Sequence, residues 1–173
     1  MSTQPLEAAT QPWIGPEGMV QTIATTDTLN STGLKALFAY WTACRGARFA
    51  PMRGEMEPRG MVALLPWIHL YDVIDGGARF HARLGGSAIA ESVGAHFVGS
   101  IFDDSGSELL IRRAVCAMRL VVETKRPIRS CAARFAAEKA SFKSAENLWL
   151  PLSDDGESIN KILACSILTA PTD

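Results

Sequence analysis

The sequence predicts an α+β domain: a five-stranded antiparallel sheet with helices on one face, plus an amphipathic helix at the amino-terminal side. Apolar residues recur at three- and four-residue steps over residues 29–45 and 107–125, which is typical of helices. Elsewhere apolar and polar residues alternate, which is typical of strands. The strand-like segments form a pair before the long helix and a triplet after it. This order favours an antiparallel sheet covered by its helices.

The composition of the chain excludes several classes of function. The chain has 173 residues, 47% of them hydrophobic, which suffices for one domain with a single core. With 17 basic and 18 acidic residues and no dense basic run, nucleic acid is not expected as a partner. No signal peptide and no apolar stretch of the ~18 residues that a membrane span needs is present, which predicts a cytoplasmic protein. The four cysteines form no CxxC pair, so reduced thiols are expected.

The amino-terminal part divides into an arm and a helix. Residues 1–28 are rich in Thr, Gln, Pro and Gly without a sustained period, so a flexible or loosely docked arm is expected. The first helix follows over residues 29–45 and ends at Gly46. Its apolar stripe either covers the outer face of the protein's own sheet or pairs with the same stripe of a second chain in a symmetric homodimer. The stripe comprises Leu34, Leu37, Phe38 and Trp41.

The remaining elements follow from turn residues and spacing. A short helix is predicted to begin at Pro58 and to end before Pro66. Glycine-rich residues 85–106 indicate short helical turns and loops, and the long helix follows at 107–125. Tight turns at Asp75-Gly76-Gly77 and Asp154-Asp155-Gly156 join neighbouring strands. The five predicted strands are residues 67–74, 78–85, 128–139, 142–152 and 160–169.

Several short motifs in this order carry a family resemblance. They are Tyr40-Trp41, Arg48 with Pro51 and Arg53, Glu57-Pro58, Leu64-Leu65-Pro66, Leu70 to Val73, the strand from Arg79 to Gly85, and the run from Pro151 to Gly156. Together they resemble a bacterial, mostly alphaproteobacterial PAS-like family that was formerly a domain of unknown function. The likeness predicts a single PAS-like domain over residues 29–170. At Gly85-Gly86-Ser87 the chain departs from the family's fuller motif, where a Val-Gly-Thr run would be expected after Arg83-Leu84.

The resemblance implies a stand-alone sensory or regulatory module and not an enzyme. Its output would be a contact with a separate signalling or effector protein. Its input would be a small apolar or aromatic ligand held between the long helix and the sheet. The alternative is a filled core and a ligand-free adaptor, because periodicity indicates burial and not emptiness. The ligand-binding candidates are Phe80, Leu84, Phe102, Met118, Phe135 and Trp149.

Cofactor and catalytic sites are not indicated. His69 and His81 fall on the two strands of one hairpin, where a polar sheet face is favoured over a metal site, and His96 alone is weak evidence for haem. No cysteine motif of the flavin-binding type occurs, and no catalytic triad is recognisable. A remaining alternative is an isomerase-like enzyme or carrier on a cone-shaped α+β scaffold. It would use Asp72 as a buried base with a raised pKa.

Overall fold

The described residues form one antiparallel sheet covered on both faces. The computed structural model describes residues 11–94, 96–133 and 144–169. Along the sheet the strand order is β1-β2-β6-β7-β8-β3-β4-β5, and each pair of neighbours is antiparallel. The strands are β1 (Trp13–Ile14), β2 (Val20–Ile23), β3 (Ile68–Ile74), β4 (Arg79–Gly85), β5 (Ile101–Phe102), β6 (Ile128–Ala132), β7 (Ser144–Leu152) and β8 (Lys161–Thr169).

The two long helices end close to where local chemistry predicts, whereas the short helix that begins at Pro58 does not end before Pro66 as predicted and continues to Trp67 as a 3-10 helix. Helix α1 begins beside Ser31, whose side chain accepts a hydrogen bond from the Leu34 amide, and it ends at Gly46 with a φ of 57°. Helix α3 ends at Lys125, which adopts the left-handed conformation. The α-helices are α1 (Thr32–Arg45), α2 (Ser87–Val93) and α3 (Leu109–Thr124), and 3-10 helices span Pro16–Gly18, Arg53–Glu55, Pro58–Trp67 and Asp75–Gly77. In the described ranges no helix is long and apolar enough to cross a membrane.

The two faces of the sheet bury separate apolar clusters. Helices α2 and α3 pack on what we call the inner face, which carries Tyr71, Phe80 and Trp149. Helix α1 and the Pro58–Trp67 helix pack on the opposite, outer face, against residues such as Leu150 and Leu163. Cross-strand partners share a face, so these assignments follow directly from the strand register.

The motif Tyr40-Trp41 attaches α1 to its neighbours. The Trp41 indole donates a 2.9 Å hydrogen bond to the carbonyl of Pro151 on β7. The Tyr40 hydroxyl accepts from the Glu57 amide at 3.0 Å, and its ring lies where a side chain on Gly60 would stand. Trp41 therefore holds α1 on the sheet, and Tyr40 holds the Pro58–Trp67 helix against α1.

The five predicted strands are confirmed where the structure describes them, because residues 134–143 of the predicted strands 128–139 and 142–152 lie outside the described ranges, and three further strands extend the sheet. The arm expected over residues 1–28 contributes β1 and β2, because β2 supplies the hydrogen-bonding partner for the free edge of β6 from Val20↔Cys131 to Ile23↔Ile128. Residues 1–10 lie outside the described ranges. Strand β5 pairs with β4 through two residues. Strands of two to four residues are too short to show an alternating pattern, so the sequence does not reveal them.

The turn before α2 depends on a glycine at residue 86. A Cβ on Gly86 would lie 2.2 Å from the carbonyl oxygen of Leu65 and 2.4 Å from that of Pro66, which are backbone atoms that cannot swing aside. We expect Gly86→Ala to lower the free energy of unfolding by about 1–3 kcal/mol, as overpacking does. Urea denaturation measures this loss of stability. Gly54→Ala is the control, because nothing lies within 4 Å of a Cβ at Gly54. Equal stability of the two variants would contradict the close approach.

Candidate functional site

A small cavity lies between the inner face of the sheet and the helices α2 and α3. Its volume is about 50 Å³, which is room for about three or four water molecules. Apolar side chains from the helices and the following loop form its walls, among them Ile89, Phe97 and Ala114. Polar side chains of the sheet form its floor. The cavity is therefore apolar on the helix side and polar on the sheet side.

The polar floor belongs to a row of side chains that crosses neighbouring strands, and all of the row except Gln21 lines the cavity. The register pairs Gln21 with Ser130, Ser130 with Asn147, and Asn147 with Ser166. His69, on the next strand, reaches Ser166 with its imidazole. Each of these five residues is at most 8% exposed. A buried polar row of this kind is costly unless its members are hydrogen-bonded, so it needs a physical reason to exist.

His69 stands at the β3 end of this row. Its Nδ1 lies 2.9 Å from the Tyr71 hydroxyl, and its Nε2 lies 2.9 Å from the Ser166 hydroxyl. The imidazole also meets the rings of Trp149 and Phe97 edge to face. Burial lowers the pKa of His69 from 6.5 to about 3, because the charged form would lose its hydration. The imidazole is therefore neutral at physiological pH.

Ser130 fixes two further floor residues. Its hydroxyl accepts hydrogen bonds from the Trp149 indole at 2.9 Å and from the Asn147 amide at 3.2 Å. Both donors come from β7, whose residues 147 and 149 share the inner face. The Trp149 ring and the Asn147 amide are thereby held in one orientation at the floor of the cavity.

The amino-terminal segment closes one side of the cavity. Arg113 on α3 lines the cavity and donates hydrogen bonds to the carbonyls of Pro16 at 3.2 Å and Glu17 at 3.4 Å. Met19, which follows the same turn, is buried and also lines the cavity. The segment that precedes the first helix is thus part of the site.

The structure places only some of the predicted ligand-binding residues at the cavity. Phe102 and Trp149 line the cavity. Phe80 and Met118 are fully buried in the adjacent core and do not line it. Phe135 lies outside the described residues. The role of these side chains in binding stays a prediction.

Leu84 requires a correction, because it is 42% exposed on the outer face. The spacing of two along the strand predicts the same face as Phe80. A β-bulge intervenes: Tyr71 pairs with Ala82, but Leu70 pairs with Leu84, so Arg83 is an extra residue. The bulge turns Leu84 to the side of Leu70, away from the cavity.

Sequence reasoning missed the polar floor. His69 was considered together with His81, but the two histidines lie on opposite faces of the sheet, since His69 reaches Ser166 and His81 pairs with Asp72. Ser130, Asn147 and Ser166 were not singled out. Ser166 stands between apolar neighbours, which is a signal that a search for isolated polar residues in apolar strands would find, whereas Ser130 follows Arg129 and Asn147 follows Glu146 and carry no such signal.

Asp72 does not match the base that the isomerase alternative requires. It lies on the outer face, 2.6 Å from Lys161 Nζ and 2.7 Å from Arg83 Nε. Partial burial alone would raise its pKa, but the hydrogen bond and charge of Lys161 and the charge of Arg83 outweigh burial and lower the pKa. A carboxylate with a lowered pKa and two cationic partners is a structural ion pair and a poor general base.

The apolar stripe of α1 packs on the chain's own sheet. Leu34, Leu37 and Trp41 are buried there, and Phe38 is half-buried with its ring 6.2 Å from that of Trp41. A homodimer through the three buried side chains would require α1 to leave the sheet. The predicted homodimer is therefore not expected to use them.

The neutral imidazole of His69 makes stability depend on pH. In the folded protein its pKa is about 3, below the ordinary 6.5, so between these pH values the unfolded chain binds a proton that the folded chain does not bind. The free energy of unfolding is therefore highest above about pH 6.5, and it falls by about 1.4 kcal/mol per pH unit as the pH decreases toward 3. We expect His69→Phe to flatten the unfolding free energy between pH 6.5 and 5, measured by urea denaturation. The same slope in both proteins would contradict a buried neutral imidazole.

The sheet and its covering helices define an α+β domain with a cavity between the sheet and two of the helices. The PAS domain family model matches residues 29–167. Among solved structures, an RNA-binding light-oxygen-voltage receptor is similar, with a TM-score of 0.50 and 10% identity over 89% of this chain; the chain spans 39% of that structure's length. Comparison with curated proteins gives no match. The chain belongs to the PAS domain family, which confirms the resemblance seen in the sequence.

Proposed function

We propose that this PAS domain senses a small molecule in the inner-face cavity and reports its presence through a protein contact on the outer face. The observation that carries the proposal is the cavity itself, whose floor combines the buried polar side chains of His69, Ser130, Asn147 and Ser166 with an apolar helix wall. A core with no ligand would be expected to fill this space with apolar side chains. The proposal places the module in the cytoplasm of a bacterial cell, with its effector on a separate protein.

The contact surface in this proposal is the part of the outer face beyond α1. Leu84 and Ile101 are 42% and 43% exposed there, beside Arg79 and Arg83. The two arginines are paired with Asp75 and Asp72, and exposed apolar side chains within a rim of ion pairs are a composition suited to a protein partner. The ligand-free adaptor would use the same surface without an input.

The two residues of strand β5 connect the cavity with the outer surface. Phe102 pairs with Phe80 and lines the cavity, and its neighbour Ile101 pairs with His81 and faces outward. The Phe102 ring meets Tyr71 at 5.5 Å and Phe97 at 5.8 Å between centroids. A ligand that displaces Phe102 would therefore move Ile101, because the two residues are adjacent on a two-residue strand.

Native mass spectrometry of the protein purified from its own host tests the proposal. We expect a bound mass in the wild type and its loss in Ala114→Leu, which fills the cavity from α3. Ala36→Leu on the exposed side of α1 is the matched control and should keep the mass. Hydrogen exchange at Ile101 should then differ between bound and free protein. An apo mass in the wild type from every growth condition would favour the ligand-free adaptor.

A further inference from the structure

The hydrogen bonds among Tyr71, His69 and Ser166 leave one of their donor hydrogens without an acceptor within this group. Tyr71, neutral His69 and Ser166 together carry three donor hydrogens: two hydroxyl protons and one ring proton. Only two hydrogen bonds connect them, Tyr71 to Nδ1 and Ser166 to Nε2. Whichever tautomer His69 adopts, the hydroxyl that accepts its ring proton keeps its own. Among the described residues no acceptor is in contact with that proton, although Tyr71 and Ser166 both line the cavity.

Asn147 presents the complementary group beside it. Its Nδ2 donates to Ser130, and no hydrogen bond within the described residues reaches its Oδ1. Asn147 is the direct cross-strand partner of Ser166, so the spare acceptor and the hydroxyl stand on neighbouring positions of one face. With the ring proton on Nε2, His69 donates to Ser166 and accepts from Tyr71, so the spare proton is that of Ser166. In this tautomer the floor offers a donor next to an acceptor, and an amide group carries the matching acceptor and donor.

The charge of the site favours a neutral ligand. His69 is uncharged, and the row that it belongs to contains no cation. Arg113 is the cationic residue at the cavity, and it donates to the carbonyls of Pro16 and Glu17. An anion placed on the floor would lose its hydration without gaining a charged partner there. An apolar ligand would leave the spare hydroxyl proton and Asn147 Oδ1 buried and unpaired.

We propose that the cavity selects small uncharged molecules with an amide-type edge, an acceptor beside a donor, over carboxylates and over apolar molecules. This inference rests on the proposed ligand-binding function. The acceptor of the ligand would take the spare proton of the Tyr71–His69–Ser166 chain, and the donor would bond to Asn147 Oδ1. The ligand body would lie against Ile89 and Phe97.

Three isosteric probes separate the possibilities: acetamide, acetate and isobutene. Each is titrated into the full chain at pH 7, and the dissociation constant is read from the indole resonance of Trp149. We expect acetamide to bind about tenfold more tightly than either of the others, the ratio that one well-formed hydrogen bond supplies. Asn147→Leu should weaken acetamide by about tenfold and leave isobutene unchanged or tighter. Thr42→Ala on α1, remote from the cavity, is the control and should change neither.

The outcomes distinguish this inference from the proposed function. Tighter binding of acetate or isobutene, or an Asn147→Leu variant that still prefers acetamide, would overturn the amide-type selectivity and leave a ligand-binding cavity. Failure of all three probes to shift Trp149 would overturn both. A preference for acetamide that is lost only in Asn147→Leu supports both, because a general loss of structure would weaken isobutene as well.

Discussion

Replacing Trp41 with alanine is expected to lower the free energy of unfolding by about 3–5 kcal/mol, because the indole is fully buried between α1 and the outer face. The same change removes the 2.9 Å hydrogen bond to the Pro151 carbonyl, which is then left without its indole donor. Urea denaturation followed by circular dichroism measures the loss. The strands should still form, since the inner-face cluster does not contain Trp41.

Thr42→Ala is the matched control for this prediction. Thr42 lies next to Trp41 on α1, and its hydroxyl bonds only within the helix, to the Phe38 carbonyl. We expect a change within about 0.5 kcal/mol, the usual range for such positions. A Trp41→Ala loss no larger than this, with unchanged mass in solution, would mean that α1 does not pack on the sheet as described.

Glu146→Gln is expected to cost about 3–5 kcal/mol at pH 7. The Glu146 carboxylate accepts hydrogen bonds from the Asn30 and Ser31 amides at 2.8 and 2.9 Å and from Arg129 Nε at 2.7 Å. The two side chains of the ion pair are only 11% and 14% exposed. A neutral amide would leave the Arg129 charge nearly buried and unpaired, and would loosen the start of α1. Urea denaturation at pH 7 measures this cost.

The pH dependence of this variant provides a second readout. Burial by itself raises the pKa of Glu146, but the hydrogen bonds from Asn30, Arg129 and Ser31 outweigh it and lower the pKa. The stabilisation is therefore present above the unfolded pKa, near 4.3, and is lost as the pH falls through the lower folded value. The gap between wild type and Glu146→Gln should be constant above about pH 5 and narrow below it.

Glu91→Gln serves as the control for Glu146→Gln. Glu91 is exposed on α2 and should give a stability within about 0.5 kcal/mol of the wild type at every pH. His69 contributes the same pH dependence to all three proteins, so it cancels in the comparison. A Glu146→Gln cost that does not change between pH 6 and 3 would show that the carboxylate charge is not what holds the pair together.

Local chemistry made several elements predictable. Helix α1 begins beside Ser31 and ends at Gly46 because capping and chain reversal are decided within a few residues. The hairpin at Asp75-Gly76-Gly77 has positive φ angles at all three residues, as its composition indicates. Asp155 accepts bonds from the Glu157 and Ser158 amides, which confirms a turn at this position.

Other features depended on partners that are distant in the sequence. Strand β2 becomes a strand because the edge of β6, more than a hundred residues later, offers it hydrogen bonds. Leu84 faces outward because one extra residue in β4 changes the register with β3. Neither effect leaves a local pattern: a composition without a sustained period predicts an arm over residues 1–28, and the alternating period places Leu84 on the face of Phe80.

The sequence by itself determined the fold class, the five central strands, the ends of the long helices and the family, because apolar spacing and turn residues act over short distances. Only the tertiary structure decided the site. Gln21, Ser130, Asn147, Ser166 and His69 come from five strands, and each is an unremarkable polar residue within its own segment. They become one buried row, of which all but Gln21 line the cavity, only when the strand register aligns them, since hydrogen-bond complementarity between strands is a property of the assembled sheet.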